Sequence, residues 1–309
     1  METPQHTVTM IEGDGIGPEI CAAVRTVVAA TGVDLAWDMQ PAGEDAIITH
    51  GDALPAVTLA SIRKNGVGIK GPTNTPKGAG HRSANVRLRE ELKLFAGVRP
   101  VRTIKGVHHP LDKLDRKVDL VVIRENLEDL YVGAECVLER EDLLDDLGLR
   151  RILESMCPSG MSIPYGATVA LKIITPEATE RICRFAFEYA RTKHRKKVTC
   201  VHKANILKVT DGLFLRIFQK IAGEYPDVVA ETEEIYPTVT ADDVLMDAMT
   251  MRLVRYPEQF DVIVCANLYG DILSDLCAAL VGGLGVVPGA NYGMEYAVFE
   301  AVHGTAPDI

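Results

Sequence analysis

Residues 260–281 read FDVIVCANLYGDILSDLCAALV, and their pattern decides the fold class. The apolar residues of Phe260–Ala266 run on instead of alternating, which marks a buried strand covered on both faces. Leu268–Val281 then reads as an amphipathic helix. A buried strand feeding directly into a helix is the unit of an α/β fold. The same signal recurs outward from this stretch. Thr7–Glu12 (TVTMIE), Val67–Lys70, Val118–Arg124 (VDLVVIR), Thr168–Ile174 and Lys197–His202 are further strand candidates. Pro176–His194, Asp211–Gly223 and Ala241–Arg255 have helical periodicity. Another helix is expected after GDGIGPE (13–19), with Pro18 in its first turn, where a missing N–H does no harm. This alternation predicts an α/β fold with a mainly parallel sheet.

Cys136–Gly166 breaks the pattern. A charged block, EREDLLDDLGLRR, runs into CPSGMSIPYG with its two prolines. The segment reads as an excursion, an arm or loop with a short helix, and not as sheet core.

At 309 residues the chain can bury a large core, and two domains, or one with a second embedded, is the expected organisation. A net charge of −10 argues against nucleic acid and anionic membranes, which reward excess Lys and Arg. Met1–His6 has neither the basic nor the apolar region of a secretory signal and is too short and acidic for a transit peptide. Seven dispersed cysteines without CxxC spacing read as reduced thiols, which points to a cytoplasmic location, or to the mitochondrial matrix if a transit peptide has been removed.

Four constellations bear on the chemistry. GDGIGPE is G-x-G-x-G and not the dinucleotide fingerprint, so alone it reads as a tight strand-to-helix turn. Ser83, Asn85 and Arg89 lie along a predicted helix, Ser83–Leu94, followed by Arg99 and later Arg124. Arginine forks near a helix N-terminus suit a polycarboxylate, while any one of them alone reads better as a solvated surface residue. Arg124 differs because it ends an apolar strand, where an unpaired charge is costly. Asp271 and Asp275 are spaced i, i+4 on one helix face, which fits a divalent cation or a solvated acidic face, with Asp247 as a third ligand candidate. Lys203 lies just past a strand and Tyr131 just past the strand of Arg124; they form a credible proton-transfer pair, or a strand-end lysine and a core aromatic.

Taken together and in order, GDGIGPE, GPTNTP, LREEL, VRPVR, VVIREN, VHKANI, NLYGDILSDL, GGLG and AVHGTAPDI resemble the β-decarboxylating dehydrogenases, the isocitrate/isopropylmalate dehydrogenase family. The resemblance implies that family's own two-domain α/β architecture, not a Rossmann fold, with the chain crossing from a large domain to a small one and back. On that basis residues 1–97 and 282–309 form the large domain, incomplete at its C-terminal side. Residues 98–128 and 176–281 form the small domain, and 129–175 a clasp-like excursion. The resemblance further implies that Arg89, Arg99 and Arg124 clamp substrate carboxylates. Ser83 and Asn85 match the isocitrate-type loop, so isocitrate, or a similar small 2-hydroxy polycarboxylate, is the expected substrate. Homoisocitrate, tartrate or isopropylmalate oxidation, and a non-catalytic regulatory subunit, are the alternatives.

Asp271 and Asp275, with Asp247 from a partner subunit, match ligands of Mg2+ or Mn2+. Tyr131 and the partner's Lys203 match the proton-transfer residues. Lys203, through Asp247 or water, is expected to take the hydroxyl proton while hydride passes to NAD; after the β-carboxylate leaves, Tyr131 protonates carbon. Thr75 matches a residue near the nicotinamide, and His303, Gly304, Thr305 and Ala306 the adenosine loop. Asp308 matches the acid that marks NAD enzymes over NADP enzymes. A homodimer or higher oligomer with shared active sites follows from the same resemblance.

Overall fold

The computed structural model describes residues 6–76, 80, 82–111, 116–138, 149–157, 160–164, 166–225 and 239–306. Ten strands form one mixed sheet. They are β1 (His6–Ile11), β2 (Leu35–Met39), β3 (Val67–Lys70), β4 (Ala96–Arg102), β5 (Asp119–Glu125), β8 (Lys197–His202), β9 (Thr240–Leu245), β10 (Val262–Cys265), β11 (Pro288–Tyr292) and β12 (Ala297–Ala301). Their spatial order is β2-β1-β3-β12-β11-β4-β5-β10-β8-β9. The chain therefore builds one side of the sheet first, crosses along β4 to the other side, and returns through β11 and β12 to pair with β3. Both flanks are parallel, and the crossing strands β4, β11 and their neighbours pair antiparallel.

The unbroken apolar runs have a simple cause. In β5, Val121 and Ile123 face one core with Ile182, Phe187, Phe214 and Phe218, from the helices Pro176–Thr192 and Thr210–Ala222. Leu120 and Val122 face a second core with Met249, Leu253, Leu273 and Cys277, from the helices Met246–Arg255 and Asn267–Leu280. A strand alternates its side chains between faces, so two covered faces demand apolar residues at every position. Full burial of such side chains contributes roughly 2 kcal/mol each. A third core, with Ile11, Ile62, Leu88, Leu94 and Val298, serves the β1-β3-β12 side. Among the described residues no helix is long and apolar enough to cross a membrane.

Two expectations are corrected. Thr168–Ile174 is not a strand of the main sheet: only Thr168–Ala170 (β7) is extended, and it pairs with β6 (Glu135–Val137) in a separate two-stranded ribbon. Its residues are largely exposed, so the β-branched composition reflects ribbon pairing and not burial. Ala241–Arg255 is not one helix. Thr240–Leu245 is the edge strand β9, pairing with β8, and the helix starts only at Met246. β9 is an edge strand whose residues are mostly not buried on either face, so it tolerates Asp242 and Asp243 on opposite faces. Part of the 136–166 excursion lies outside the described residues; within it a helix, Leu149–Met156, is present.

Candidate functional site

Parallel strands β5, β10, β8 and β9 all end at one edge, at Glu125, Cys265, His202 and Leu245. In open α/β sheets this carboxyl edge is where ligands bind. Arg124 sits there, at the end of β5, almost fully buried. Its Nε donates to Asn267 Oδ1 at 2.7 Å, and its Nη1 donates to the Asp271 carboxylate. The guanidinium lies over the Tyr131 ring, 4.8 Å from the centroid, and the Tyr131 hydroxyl donates to Asp271 as well. The helix Asn267–Leu280 can approach this closely because residue 270 is glycine: a Cβ there would stand 2.6 Å from Arg124 Cβ.

A cavity of about 240 Å³ opens beside this cluster. Arg89 enters it from the helix Ala84–Glu91, Arg99 from β4 and Arg124 from β5, so three elements of the fold turn one guanidinium each into the same space. Asp271 and Asp275 line it from the helix Asn267–Leu280, and Ser83 and Asn85 form part of its rim. Thr73 donates to Asn85 Oδ1 at 3.0 Å, and Thr75 donates to the Ser83 hydroxyl at 3.2 Å, which ties that rim to the GPTNTP loop.

Two charged residues of the cavity were not foreseen. Lys70 ends β3 and Glu300 lies in β12; both side chains are buried, with Nζ 3.4 Å from the carboxylate. Glu300 also accepts from Arg89 Nη2 at 3.0 Å and from Asn291 at 2.8 Å. A charged residue in an otherwise apolar strand is the signal that singled out Arg124, and VGIK and AVFEA carry it too.

The charges are crowded. Burial pushes the Arg99 guanidinium down from its ordinary value; Glu300 opposes this, while Arg89 and Arg124 add to it. Burial would raise the Asp271 carboxyl, but Arg124, the Tyr131 hydroxyl, Arg99 and Arg89 together hold it below the usual range. Burial and then Asp271 push Asp275 up. Burial and the bond to Asp271 raise the Tyr131 phenol. Arg89 Nε and Arg124 Nη2 are buried with no hydrogen-bond partner among the described residues.

Lys203 and Asp247 stand apart from this cavity. Lys203 Nζ donates to Asp247 Oδ1 at 2.5 Å, and the lysine holds the Asp247 carboxyl below its ordinary value. They follow β8 and β9, the far strands of the same edge. Among the described residues no three acidic, histidine or cysteine side chains come together as a metal-binding group, so Asp247 does not join Asp271 and Asp275 within one chain.

Near the C-terminal end, His303 and Gly304 line the cavity and Thr75 does not. The Thr305 carbonyl accepts from Ile16 N at 3.1 Å, and a Cβ on Gly15 would meet that carbonyl at 2.1 Å. The GDGIG turn is therefore filled by the chain itself, which fits a tight turn and not a pyrophosphate cradle. Ala306 follows with a positive φ of 44°. Asp308 lies outside the described residues.

The family model described as isocitrate/isopropylmalate dehydrogenase matches residues 7–309. A Drosophila melanogaster protein, probable isocitrate dehydrogenase (NAD) subunit alpha, mitochondrial, is 42% identical over 98% of this chain and 70% of its own length. The isocitrate dehydrogenase (NADP) of Thermus thermophilus is 42% identical over 99% of this chain and 54% of its own. The crystal structure of isocitrate dehydrogenase from Methylococcus capsulatus superposes with a TM-score of 0.84 at 45% identity, covering 99% of this chain and 79% of that one.

Proposed function

The chain belongs to the isocitrate/isopropylmalate dehydrogenase family, and from that premise we propose that it oxidises and decarboxylates isocitrate to 2-oxoglutarate and CO2, with NAD as hydride acceptor and Mg2+ or Mn2+ as cofactor. The observation that carries this reading is the convergence of Arg89, Arg99 and Arg124 on one cavity, with buried donors on two of them left unpaired. A buried unpaired donor is costly, and a ligand carboxylate is the group that satisfies a guanidinium best. Charge favours a tricarboxylate. Lys70 and the three arginines oppose Asp271, Asp275 and Glu300 along the wall, a balance of +1. A substrate with three carboxylates plus a divalent cation carries −1 and complements it, whereas a dicarboxylate with the same cation is neutral. The polar rim of Ser83 and Asn85 offers hydrogen bonds that an isopropyl group cannot use.

Asp271 and Asp275 fit a divalent cation, because they stand one helical turn apart and burial with mutual repulsion raises Asp275. When bound, such an ion supplies Lewis-acid polarisation of the substrate's hydroxyl and of the charge that develops on decarboxylation. The arginines hold the carboxylates. Tyr131 keeps its proton at neutral pH, as its raised pKa requires, and delivers it to carbon. Lys203 with Asp247 removes the hydroxyl proton. Because that pair lies off the cavity of its own chain, the active site is completed by a second copy, in a homodimer or higher oligomer. Thr75, His303, Gly304, Thr305 and Ala306 contact the dinucleotide, and the carboxylate of Asp308 disfavours a 2′-phosphate. Both aspartates and all three arginines are retained, which favours a catalytic over a regulatory subunit. Free thiols throughout fit a reducing compartment, the cytoplasm or, as in the mitochondrial relatives, the matrix.

The test is NADH formation with Mn2+ from isocitrate, run beside isopropylmalate, homoisocitrate and tartrate and repeated with NADP. Preferred turnover of isocitrate with NAD is expected. Preference for another acid, or for NADP, overturns the substrate or the cofactor reading respectively.

A further inference from the structure

Lys172 was not among the candidate site residues and does not line the cavity, yet its ammonium is the centre of a buried ionic group. Its Nζ lies 2.9 Å from Asp211 Oδ1 and 3.3 Å from Asp129 Oδ1, with the side chain 13% exposed and both aspartates buried. It also sits 4.3 Å from the centroid of the Tyr269 ring. Neither of those two carboxylate oxygens has an aligned hydrogen bond among the described residues, so the lysine charge, with the Tyr269 hydroxyl beside Asp211, is what compensates them. The other oxygens accept from backbone amides of the segments that carry site residues. Asp211 Oδ2 accepts from the backbone N–H of Lys203 at 2.6 Å. Asp129 Oδ2 accepts from the backbone N–H of Leu268 at 2.9 Å, in the first turn of the helix that carries Asp271 and Asp275.

Asp129 also precedes the short 3-10 turn Leu130–Val132 that holds Tyr131. Its backbone stands at φ 72°, ψ −152°, a region that is essentially reserved for glycine. A non-glycine residue stays there only when its surroundings over-determine it. Here the determinants are Lys172, the Leu268 N–H and the bond from Asp129 N to Ile173 O at 2.9 Å, beside Lys172 in sequence.

We propose that Lys172 is a positioning residue: through Asp129 and Asp211 its buried ammonium fixes the Tyr131 turn, the helix of Asp271 and Asp275, and Lys203. This rests on the roles proposed above for those four residues. If Lys203 serves the site of a second copy, the same lysine holds the acid of one active site and the base of the other in register.

The test uses Lys172→Met, Lys172→Arg and the charge-free triple variant Lys172→Met/Asp129→Asn/Asp211→Asn, in case the single change leaves two buried carboxylates that prevent folding. Amide hydrogen exchange is followed at Lys203 and Leu268, with the core helix 176–192 as the control, and kcat and KM for isocitrate are measured alongside. Lys172→Met, or the triple variant in its place, is expected to speed exchange at Lys203 and Leu268 with the control unchanged. It should lower kcat by about tenfold or more while KM stays within about threefold. Lys172→Arg should recover much of both. A purely structural lysine would raise exchange in the control helix equally and would not be rescued at the two amides alone. Unaltered protection and kcat in the folded variants overturn the proposal. Should the unmodified protein fail to oxidise isocitrate, the functional reading falls, and the exchange arm still decides whether Lys172 holds these elements.

Discussion

Glu125 offers a stability test that is independent of turnover. It ends β5 beside Arg124, with its side chain buried. Oε2 accepts from the backbone N–H groups of Leu127 at 2.9 Å and Glu128 at 2.8 Å, while Oε1 is buried without a hydrogen bond among the described residues and lies 3.9 Å from Arg181. Burial outweighs those bonds and pushes the carboxyl up to about 7 from 4.5. The folded state therefore binds the proton more tightly than the unfolded chain, and stability falls as pH rises between those values. At about 1.4 kcal/mol per pH unit, the whole effect is about 3 kcal/mol, most of it lost between pH 5 and 8. Glu125→Gln keeps an oxygen for the two amides and cannot ionise. Urea unfolding of both proteins from pH 5 to pH 8 should show similar stabilities at the acid end and a variant more stable by roughly 2 kcal/mol at the alkaline end. Parallel curves, or a wild type that gains on the variant as pH rises, would refute the reasoning.

Ser83→Ala should raise KM for isocitrate only a few-fold, whereas Ser83→Asp should raise it roughly a hundredfold, the effect of a like charge about 6 Å away at an effective dielectric near 20; equal KM values for the two variants would remove Ser83 from the rim of the site. Chelation should abolish isocitrate oxidation, and Asp275→Asn should weaken metal-dependent isocitrate binding, read by calorimetry, without lowering thermal stability, because it removes a charge that burial and Asp271 already disfavour. Undiminished activity in excess chelator would exclude the metal. Arg89→Ala and Lys203→Ala should each be nearly inactive, and unfolding and refolding them together should recover substantial activity, since one site of a mixed dimer gathers both defects and the other none. A mixture as inactive as its parents, with exchange of subunits verified, would show that each chain carries a self-contained site.

The parts of the fold that were legible in the sequence are those whose residues must satisfy two neighbours at once. VDLVVIR and FDVIVCA are apolar at nearly every position because β5 and β10 separate two cores, and no other local structure of that length asks for this. TADDVL at 240–245 hid its strand because β9 is a largely uncovered edge, and its aspartates, one on each face, satisfy Lys197, Thr199 and His202 of β8. PGANY and AVFEA, the returning strands β11 and β12, are too short and mixed to announce themselves; the ladder to β4 and β3 defines them, and it spans most of the chain.

The site divides along the same line. Arg124 was visible because a charge closing an apolar strand needs a partner, and the partners proved to be Asn267 and Asp271. Lys70 and Glu300 carry the same local mark, but each satisfies the other across the fold, so neither presents an unmet charge that a local reading could weigh. Lys172 is the extreme case. It follows a ribbon strand at the base of the excursion, among residues that are partly exposed, and nothing near it in sequence distinguishes it from a solvated lysine. Its importance arises only when the fold brings Asp129 and Asp211 around it, and a role that consists of compensating two distant carboxylates has no local sequence signature to find.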